Sequence, residues 1–261
     1  MVTIAHAAAL TEEDALPFAH SVALARSSGA ELVAVHASND PSAESRMLDA
    51  KAVLEGWGEN ADAVPYRKLV HSCCDDPVDT TLDALRGLTP DLVVAGTHQR
   101  EGIVRLVLDS RAEAIAQNVA APTLIVPIGA RGFVAGGQLR LRRILVPAGD
   151  AAAAEAGCKA ARWMIDLSKS PEGELILMHV GQGEVPGGDP NLPEGWSCSR
   201  ESASGKLEEV LGEASQRVDL IVMATRGRDS VHDAIVGSHT ERVFHRADCP
   251  VLGRRLRWLF A

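Results

Sequence analysis

The sequence predicts an α/β protein of two tandem domains, each a parallel sheet with helices on both faces. Three observations support this fold class. A length of 261 residues suits two domains of about 130 residues each. A strand–loop–helix pattern occurs twice, and apolar strand-like runs alternate with helical patterns along the chain. Hydrophobic residues make up 46% of the chain but aromatic residues only 3%, which predicts an aliphatic core of strands buried on both faces.

The repeated pattern occupies residues 91–123 and 219–251, with a constant offset of 128 residues and no gap. The copies read DLVVAGTHQREGIVRLVLDSRAEAIAQNVAAPT and DLIVMATRGRDSVHDAIVGSHTERVFHRADCPV. Equivalent positions include Asp91 and Asp219, Ser110 and Ser238, Glu113 and Glu241, and Pro122 and Pro250. The chain is therefore a tandem repeat of one domain.

The first half yields five strands that alternate with helices. The predicted strands are Val2–Ala5, Glu31–Ala37, Val64–Val70, the apolar run after Asp91, and Thr123–Pro127. Helices are predicted after Thr11 (with apolar Phe18, Val22 and Ala25, ending at Gly29), over Ala43–Glu55, over Val78–Leu85, and from Ser110. Strands separated by helices pair in parallel, because a parallel pair needs a crossover connection.

The second half repeats this order after a glycine-rich linker. The domains are predicted at 1–128 and 142–261, with the linker at 129–141. A first strand within Arg142–Asp150, a helix over Ala151–Leu167 and a strand at Glu174–Val180 follow. The segment Gly181–Gly195 contains five Gly and three Pro, which excludes a helix. One face of the second sheet must then be covered by this loop, by the first domain or by another chain.

Charge and cysteine usage limit the class of protein. A net charge of −9 argues against a nucleic-acid or membrane-surface partner. No apolar run approaches the roughly 20 residues of a membrane helix, and no leader pattern precedes the first strand. The five cysteines (Cys73, Cys74, Cys158, Cys198 and Cys249) contain no C-x-x-C pair and are predicted to be buried free thiols, which indicates the cytoplasm. The histidines show no zinc-ligand spacing.

Ligands of open parallel sheets bind beyond the carboxyl ends of the strands, where the winding direction reverses. In the second half the loops at this position are Pro147–Asp150 and Ala224–Gly237. The latter contains Gly227, two arginines and a predicted helix start at Gly237–Ser238, where free N–H groups favour an anion. These features describe a phosphate cradle. From spacing alone, an ordinary turn followed by a structural S-x-x-E cap is an equally good interpretation.

The stretch resembles nucleotide-binding members of the universal stress protein family, which carry G-x2-G-x9-G-[ST] between the fourth strand and the last helix. The resemblance covers nearly the whole chain, through ILVP, the H-V strand end, D-L-[IV]-V, and the C-P-V or A-P-T entry to the last strand. It implies two tandem Rossmann-like (HUP-type) domains, each a five-stranded parallel sheet with helices on both faces. It also implies an intramolecular pseudo-dimer, paired through the last strands, and bound ATP or another adenine nucleotide.

The second half matches the family motif as Ala224-x2-Gly227-x9-Gly237-Ser238, with only the first glycine changed. The resemblance assigns nucleotide binding to Pro147, Ala148, Gly149, Asp150, Val180, Met223, Ala224, Arg226, Gly227, Arg228, Gly237, Ser238, His239 and Thr240. Val180 would contact the adenine, Met223 and Ala224 the ribose side, and the loop and helix start the phosphates. The order Gly149–Asp150 reverses that of the family. This leaves open whether Asp150 serves the adenine or ribose, and the sequence leaves open whether Mg²⁺ accompanies the phosphates.

The first half matches as Gly96-x2-Gln99-x9-Asp109-Ser110, without the two phosphate-side glycines. Gln99 places a side chain where the backbone should approach the ligand, and Asp109 places a carboxylate beside the phosphate. Like charges near 4 Å repel by about 1 kcal/mol in water and about 4 kcal/mol at an effective dielectric near 20. The loop Ala5–Ala8 has no acidic residue either. Nucleotide binding is therefore predicted for the second domain only.

Three functions compete on this basis. The leading hypothesis is a regulatory, nucleotide-binding stress protein with at most slow ATP hydrolysis, since no general base is evident beside the loop. The alternative is a nucleotide-free scaffold or interaction protein, favoured by Ala224, by the displaced Asp150 and by a docking surface at the missing helix. An enzyme of nucleotidyl-transferring or pyrophosphatase type would need an S-G-G-x-D-S loop, which Ala148–Ala152 lacks. The expected partners are the nucleotide and a second copy or another protein.

Overall fold

The structure is a computed structural model that describes residues 1–73, 76–97, 115, 118–225, 243 and 246–255. The chain divides into two compact units. The first comprises Met1–Ile128 with Val134–Gln138, and the second comprises Gly129–Phe133 with the residues from Leu139 onward. The helices predicted from Ser110 and Ser238 lie outside the described residues.

The first unit is built on a five-stranded parallel sheet. Its strands are β1 (Thr3–Ala7), β2 (Glu31–Ala37), β3 (Tyr66–His71), β4 (Leu92–Gly96) and β5 (Thr123–Val126), in the spatial order β3-β2-β1-β4-β5. The described helices are a 3-10 turn at Glu12–Asp14, α1 (Ala15–Ser28), α2 (Ala43–Arg46), α3 (Ala50–Gly56) and α4 (Pro77–Leu88). All strand pairs are parallel, which confirms the predicted fold class.

The prediction of one helix over Ala43–Glu55 is wrong, because two short helices occupy this stretch. Met47 is extended, with φ −65° and ψ 139°, and its side chain is buried in the core. Asp49 then opens α3, where its carboxylate accepts a hydrogen bond from the Lys51 N–H at 2.8 Å. Burial of Met47 and this new cap outweigh the continuous helical pattern of the sequence.

The second unit repeats the same sheet. Two short strands, β6 (Val134–Ala135) and β7 (Gln138–Leu139), lie in the predicted linker. The second sheet contains β8 (Arg143–Pro147), β9 (Gly173–Val180), β10 (Trp196–Ala203), β11 (Leu220–Thr225) and β12 (Val251–Arg255), in the spatial order β10-β9-β8-β11-β12. Its described helices are α5 (Ala151–Ser168) and α6 (Leu207–Ser215). Residues 256–261, which follow β12, lie outside the described part.

Strand register fixes which residues of the two units correspond. Ile4 pairs with Leu32 in the first sheet, and Ile144 pairs with Leu175 in the second. The offset of 140 residues set by Ile4 and Ile144 persists to the ends of α1 and α5. There Gly29 and Lys169 both take left-handed φ values, of 72° and 50°. The first strand and first helix of each unit can therefore be compared residue by residue.

The repeated aspartates have a structural role at the start of each first strand. Asp91 accepts a hydrogen bond from the Thr3 N–H at 2.8 Å. Its equivalent Asp219 accepts from the N–H groups of Arg142 and Arg143, both at 2.8 Å. The aspartate is therefore repeated because it holds the start of the first strand, not because it binds a ligand.

The segment Gly181–Gly195, hereafter the glycine-rich segment, forms no helix, as predicted. Arg200 donates to the carbonyls of Val185 and Gly188, at 3.2 and 2.9 Å, and Arg162 donates to the Asn191 carbonyl at 2.7 Å. Since Arg162 is on α5 and Arg200 is on β10, the segment lies against both elements. A loop therefore contributes to the covering of the second sheet, which is one of the three coverings predicted.

Two of the four described thiols are not buried as predicted. Cys158 and Cys249 are buried, whereas Cys198 is exposed on β10 and Cys73 is intermediate; Cys74 is outside the described residues. All four described cysteines are free. Burial raises the pKa of Cys158 to about 11 and that of Cys249 to about 12. The prediction of buried thiols is therefore wrong for Cys198, and Cys73 is only partly buried. None of the described helices is long and apolar enough to cross a membrane.

Candidate functional site

The candidate site begins at the loop after β8, which is fixed to the end of β9. The Ala148 N–H donates to the Met178 carbonyl at 2.8 Å, and His179 Nδ1–H donates to the Ala148 carbonyl, also at 2.8 Å. The first unit repeats this arrangement, with His36 Nδ1 2.8 Å from the Ala8 carbonyl. The histidine at the end of the second strand therefore holds the loop after the first strand in both units.

Gly149 and Asp150 complete this loop and lead into α5. Gly149 is exposed, and no other atom lies within 4 Å of where a Cβ would stand, so a ligand can approach its backbone. Asp150 is the N-cap of α5, since its Oδ1 accepts from the Ala153 N–H at 2.8 Å. A candidate ligand residue thus already has a structural partner.

The remaining described site residues lie at the same edge of the sheet. Val180 is the last residue of β9 and is half-buried, and Met223 and Ala224 lie near the end of β11. Because β11 pairs with β8 in parallel, the carboxyl ends of these two strands are neighbours. The winding direction reverses between them, so the structure brings Pro147–Asp150 and Met223–Ala224 to the crevice where open α/β sheets bind ligands.

The residues assigned to the phosphates lie outside the described residues. These are Arg226, Gly227, Arg228, Gly237, Ser238, His239 and Thr240, and in the first unit Gln99, Asp109 and Ser110. The phosphate cradle therefore stays a prediction. Within the described part of the chain, no group of His, Cys, Asp and Glu residues could hold a metal ion.

The sequence missed an acidic residue at the equivalent loop of the first unit. Residues Ala5–Ala8 contain no carboxylate, but the structure brings Asp14 to this loop from the start of α1. Asp14 Oδ2 accepts from the Ala9 N–H at 3.0 Å, and the residue is 2% exposed. The only sequence signal was an acidic turn ahead of a helix, which usually indicates a cap.

A groove of about 630 Å³ lies between α5 and the glycine-rich segment. Its walls are Ala151, Ala154, Glu155, Cys158, Lys159, Arg162, Asp166 and Gly187–Asn191. Four of its charged residues form two ion pairs along α5, Glu155 with Lys159 at 2.7 Å and Arg162 with Asp166 at 3.1 Å. A helical face with internally paired charges is typical of a solvated surface.

Comparison with known proteins places the chain in a family. The model of the universal stress protein family matches residues 6–127 and 197–253, which is more than half of the chain. The fold and this match define an α/β protein of the universal stress class. The chain belongs to the universal stress protein family.

Solved structures share the fold over the whole chain. A universal stress protein from Archaeoglobus fulgidus DSM 4304 matches with a TM-score of 0.63 at 16% identity, covering 97% of this chain and 98% of that one. A putative universal stress protein from Pseudomonas aeruginosa UCBPP-PA14 matches with a TM-score of 0.64 at 12% identity, covering 97% and 92%. A universal stress protein in complex with cAMP covers 44% of this chain at 15% identity and a TM-score of 0.33, too low to bear on the ligand here. No curated protein matches the sequence.

Proposed function

We propose that this chain is a regulatory universal stress protein of the cytoplasm that binds ATP or another adenine nucleotide through its second unit only. One difference between the units carries the proposal. In the first unit the Ala9 N–H donates to Asp14, whereas the equivalent Gly149 is exposed with open space beside it. Within the described residues the Gly149 N–H has no protein acceptor. The loop of the second unit therefore offers a backbone donor that the first unit uses internally.

The charge pattern of the sequence supports the same assignment. The motif Ala224-x2-Gly227-x9-Gly237-Ser238 retains the two glycines next to the predicted phosphates, while the first half has Gln99 and Asp109 there. A carboxylate at a helix start stabilises that helix but repels a phosphate. The expected result is one bound nucleotide per chain, with a second copy or another protein as the downstream partner.

A specific observation favours the alternative, a nucleotide-free scaffold. Asp150, the only acidic residue of the loop after β8, caps α5. If capping is its whole role, the site lacks the acidic group that the family resemblance implies for the adenine or ribose. The two functions predict different contents of the purified protein.

Mass spectrometry of ligand released from protein purified without added nucleotide distinguishes them. We expect an adenine nucleotide at about one per chain. The variant Gly237→Asp copies Asp109 into the second unit, and a like charge beside the phosphate is expected to weaken ATP binding by about tenfold or more. The matched control is Gly188→Ala, at an exposed glycine of the same unit. If the purified protein retains no nucleotide and ATP titration gives no heat, the scaffold function is favoured instead.

Variants of Asp150 separate capping from ligand binding. Asp150→Ala should destabilise the second unit by about 1 kcal/mol, because the Ala153 N–H loses its acceptor. The control is Asp76→Ala, which removes an N-cap of the same kind from α4 in the first unit. It should lower the free energy of unfolding by a similar amount. Asp150→Ser retains a capping oxygen and should restore stability, measured by urea denaturation. If Asp150 contacts the nucleotide, affinity in Asp150→Ser falls by about tenfold. Unchanged affinity would limit Asp150 to capping.

A further inference from the structure

His179, near the end of β9, fixes both the place and the direction of one peptide group at the candidate site. Its Nδ1 lies 2.8 Å from the Ala148 carbonyl oxygen, which can only accept, so the hydrogen of this bond is on Nδ1. The Ala148 N–H donates in turn to the Met178 carbonyl at 2.8 Å. Both polar groups of the Ala148 backbone are therefore bound to the end of β9.

The carbonyl that His179 binds belongs to the same peptide group as the Gly149 N–H. A peptide group is planar and this one is trans, so its C=O and its N–H point in opposite directions. The hydrogen bond that fixes the Ala148 carbonyl therefore also fixes the direction of the Gly149 N–H. It polarises the peptide group as well, which makes that N–H a stronger donor.

The first unit shows what an N–H fixed in this way binds. Ala8 is equivalent to Ala148, and its carbonyl oxygen lies 2.8 Å from His36 Nδ1. The N–H of the same peptide group belongs to Ala9 and donates to a carboxylate oxygen of Asp14 at 3.0 Å. The histidine contact at this loop therefore accompanies an N–H that is directed at an anionic oxygen.

The second unit has no carboxylate at the equivalent position of the sequence. By the offset of 140 residues that relates the two first helices, Ala154 stands where the first unit has Asp14. Gly149 is exposed, and a Cβ added to it would meet no other atom within 4 Å. The Gly149 N–H is therefore held like its counterpart in the first unit but is accessible to a ligand.

The His179 ring is bounded on its other side by the start of the glycine-rich segment. It is half-buried, and a Cβ added to Gly181 would stand only 3.1 Å from its Nε2. The Gly181 N–H donates to the Ala203 carbonyl at 2.9 Å, which fixes the backbone beside the ring. These contacts limit the movement of the ring away from the Ala148 carbonyl.

We propose that His179 is a positioning residue of the nucleotide site, which holds the Ala148–Gly149 peptide group so that the Gly149 N–H is directed at an acceptor oxygen of the ligand. His179 acts through this peptide group and does not itself contact the ligand. The Asp14 carboxylate of the first unit indicates the chemical class of the acceptor, an oxygen that carries negative charge or a lone pair. The inference rests on the proposed binding of an adenine nucleotide by the second unit.

The test compares ATP binding to the full chain, measured by calorimetry, in three variants. His179→Leu removes the donor and should weaken binding by about tenfold. His179→Asn places an amide N–H near the position of Nδ1 and should restore the affinity to within about threefold of the wild-type protein. The control is His36→Leu, which removes the same contact from the first unit and should leave the affinity unchanged.

The ¹⁵N order parameter of the Gly149 amide, measured without nucleotide, reports on the peptide group itself. It should be about 0.85 in the wild-type protein and in His179→Asn, and below about 0.6 in His179→Leu. If His179→Leu does not fold, the wild-type measurement still decides, because a flexible Gly149 amide overturns the role of His179. Equal ATP affinity of the wild-type protein and His179→Leu overturns it too, and leaves the proposed function intact. A wild-type protein that binds no ATP overturns both, and a rigid Gly149 amide then shows that His179 serves the fold alone.

Discussion

Lowering the pH from 7 to 4 is expected to destabilise the first unit by about 3 kcal/mol through His20 alone. The His20 ring is completely buried on the inner face of α1. Its Nδ1–H donates to the Leu16 carbonyl at 2.8 Å, one helical turn earlier. Burial lowers the pKa of His20 from 6.5 to about 4, against a smaller opposing effect of that hydrogen bond.

The sign of this effect follows from which state binds the proton. Above pH 6.5 His20 is neutral in both the folded and the unfolded chain, and the group makes no pH-dependent contribution. Between pH 6.5 and about 4 the unfolded chain binds a proton that the folded chain does not, so the free energy of unfolding falls as the pH falls. Each pH unit in this window costs at most about 1.4 kcal/mol.

The decrease in the free energy of unfolding is measured by urea denaturation of the full chain at pH 7 and pH 4. Hydrogen exchange of the α1 amides at the same two pH values locates the decrease in the first unit. His20→Gln keeps a neutral hydrogen-bonding side chain of similar length and cannot titrate in this range. We expect the variant to lose about 3 kcal/mol less than the wild-type protein between the two pH values. His71→Gln, at an exposed histidine of the same unit, is the matched control. An equal reduction in both variants would show that burial of His20 is not the cause.

The strands and helices that the sequence predicted correctly are those determined by local pattern. The apolar run Glu31–Ala37 forms β2 with the predicted bounds, and Gly29 ends α1 in a left-handed conformation. The glycine- and proline-rich composition of Gly181–Gly195 was enough to exclude a helix. Repetition of Asp91 and Asp219 revealed the tandem fold, although the two residues hold first strands rather than a ligand.

The features that the sequence missed depend on contacts between distant parts of a unit. Nothing in the helical pattern around Met47 indicates that its side chain enters the core and interrupts the helix. Asp14 looks like part of a helix start, and nothing in the local pattern indicates that its carboxylate contacts the Ala9 N–H and a buried histidine on β1. At the candidate site, Pro147–Asp150 and Met223–Ala224 lie at the carboxyl edge of the sheet, where the sequence predicted them, and the rest of the second loop lies outside the described residues. The second role of Asp150 as a cap required the structure.

Gly195→Ala is expected to destabilise the second unit by about 3 kcal/mol, because two costs add at this position. Gly195 has φ 86°, a left-handed conformation that residues with a Cβ adopt only with strain. A Cβ there would also collide with the carbonyl oxygen of Pro171, a backbone atom that cannot move aside as a flexible side chain does. The Gly195 carbonyl in turn accepts a hydrogen bond from the Gly173 N–H at 3.1 Å.

Two other glycines of the same segment separate these costs. Gly183 has φ 109° but open space around it, so Gly183→Ala should show the conformational strain alone, about 1 kcal/mol. Gly188 has neither a positive φ nor a close neighbour, and Gly188→Ala should be neutral or stabilising by a few tenths of a kcal/mol. Urea denaturation of the three variants gives the comparison. Since Gly195 fixes the end of the glycine-rich segment beside Trp196 and β10, its loss should also raise amide exchange across β10. Equal stability of Gly195→Ala and Gly183→Ala would mean that the backbone at Pro171 shifts to accommodate the added Cβ. The segment would then be held in place by the hydrogen bonds of Arg162 and Arg200.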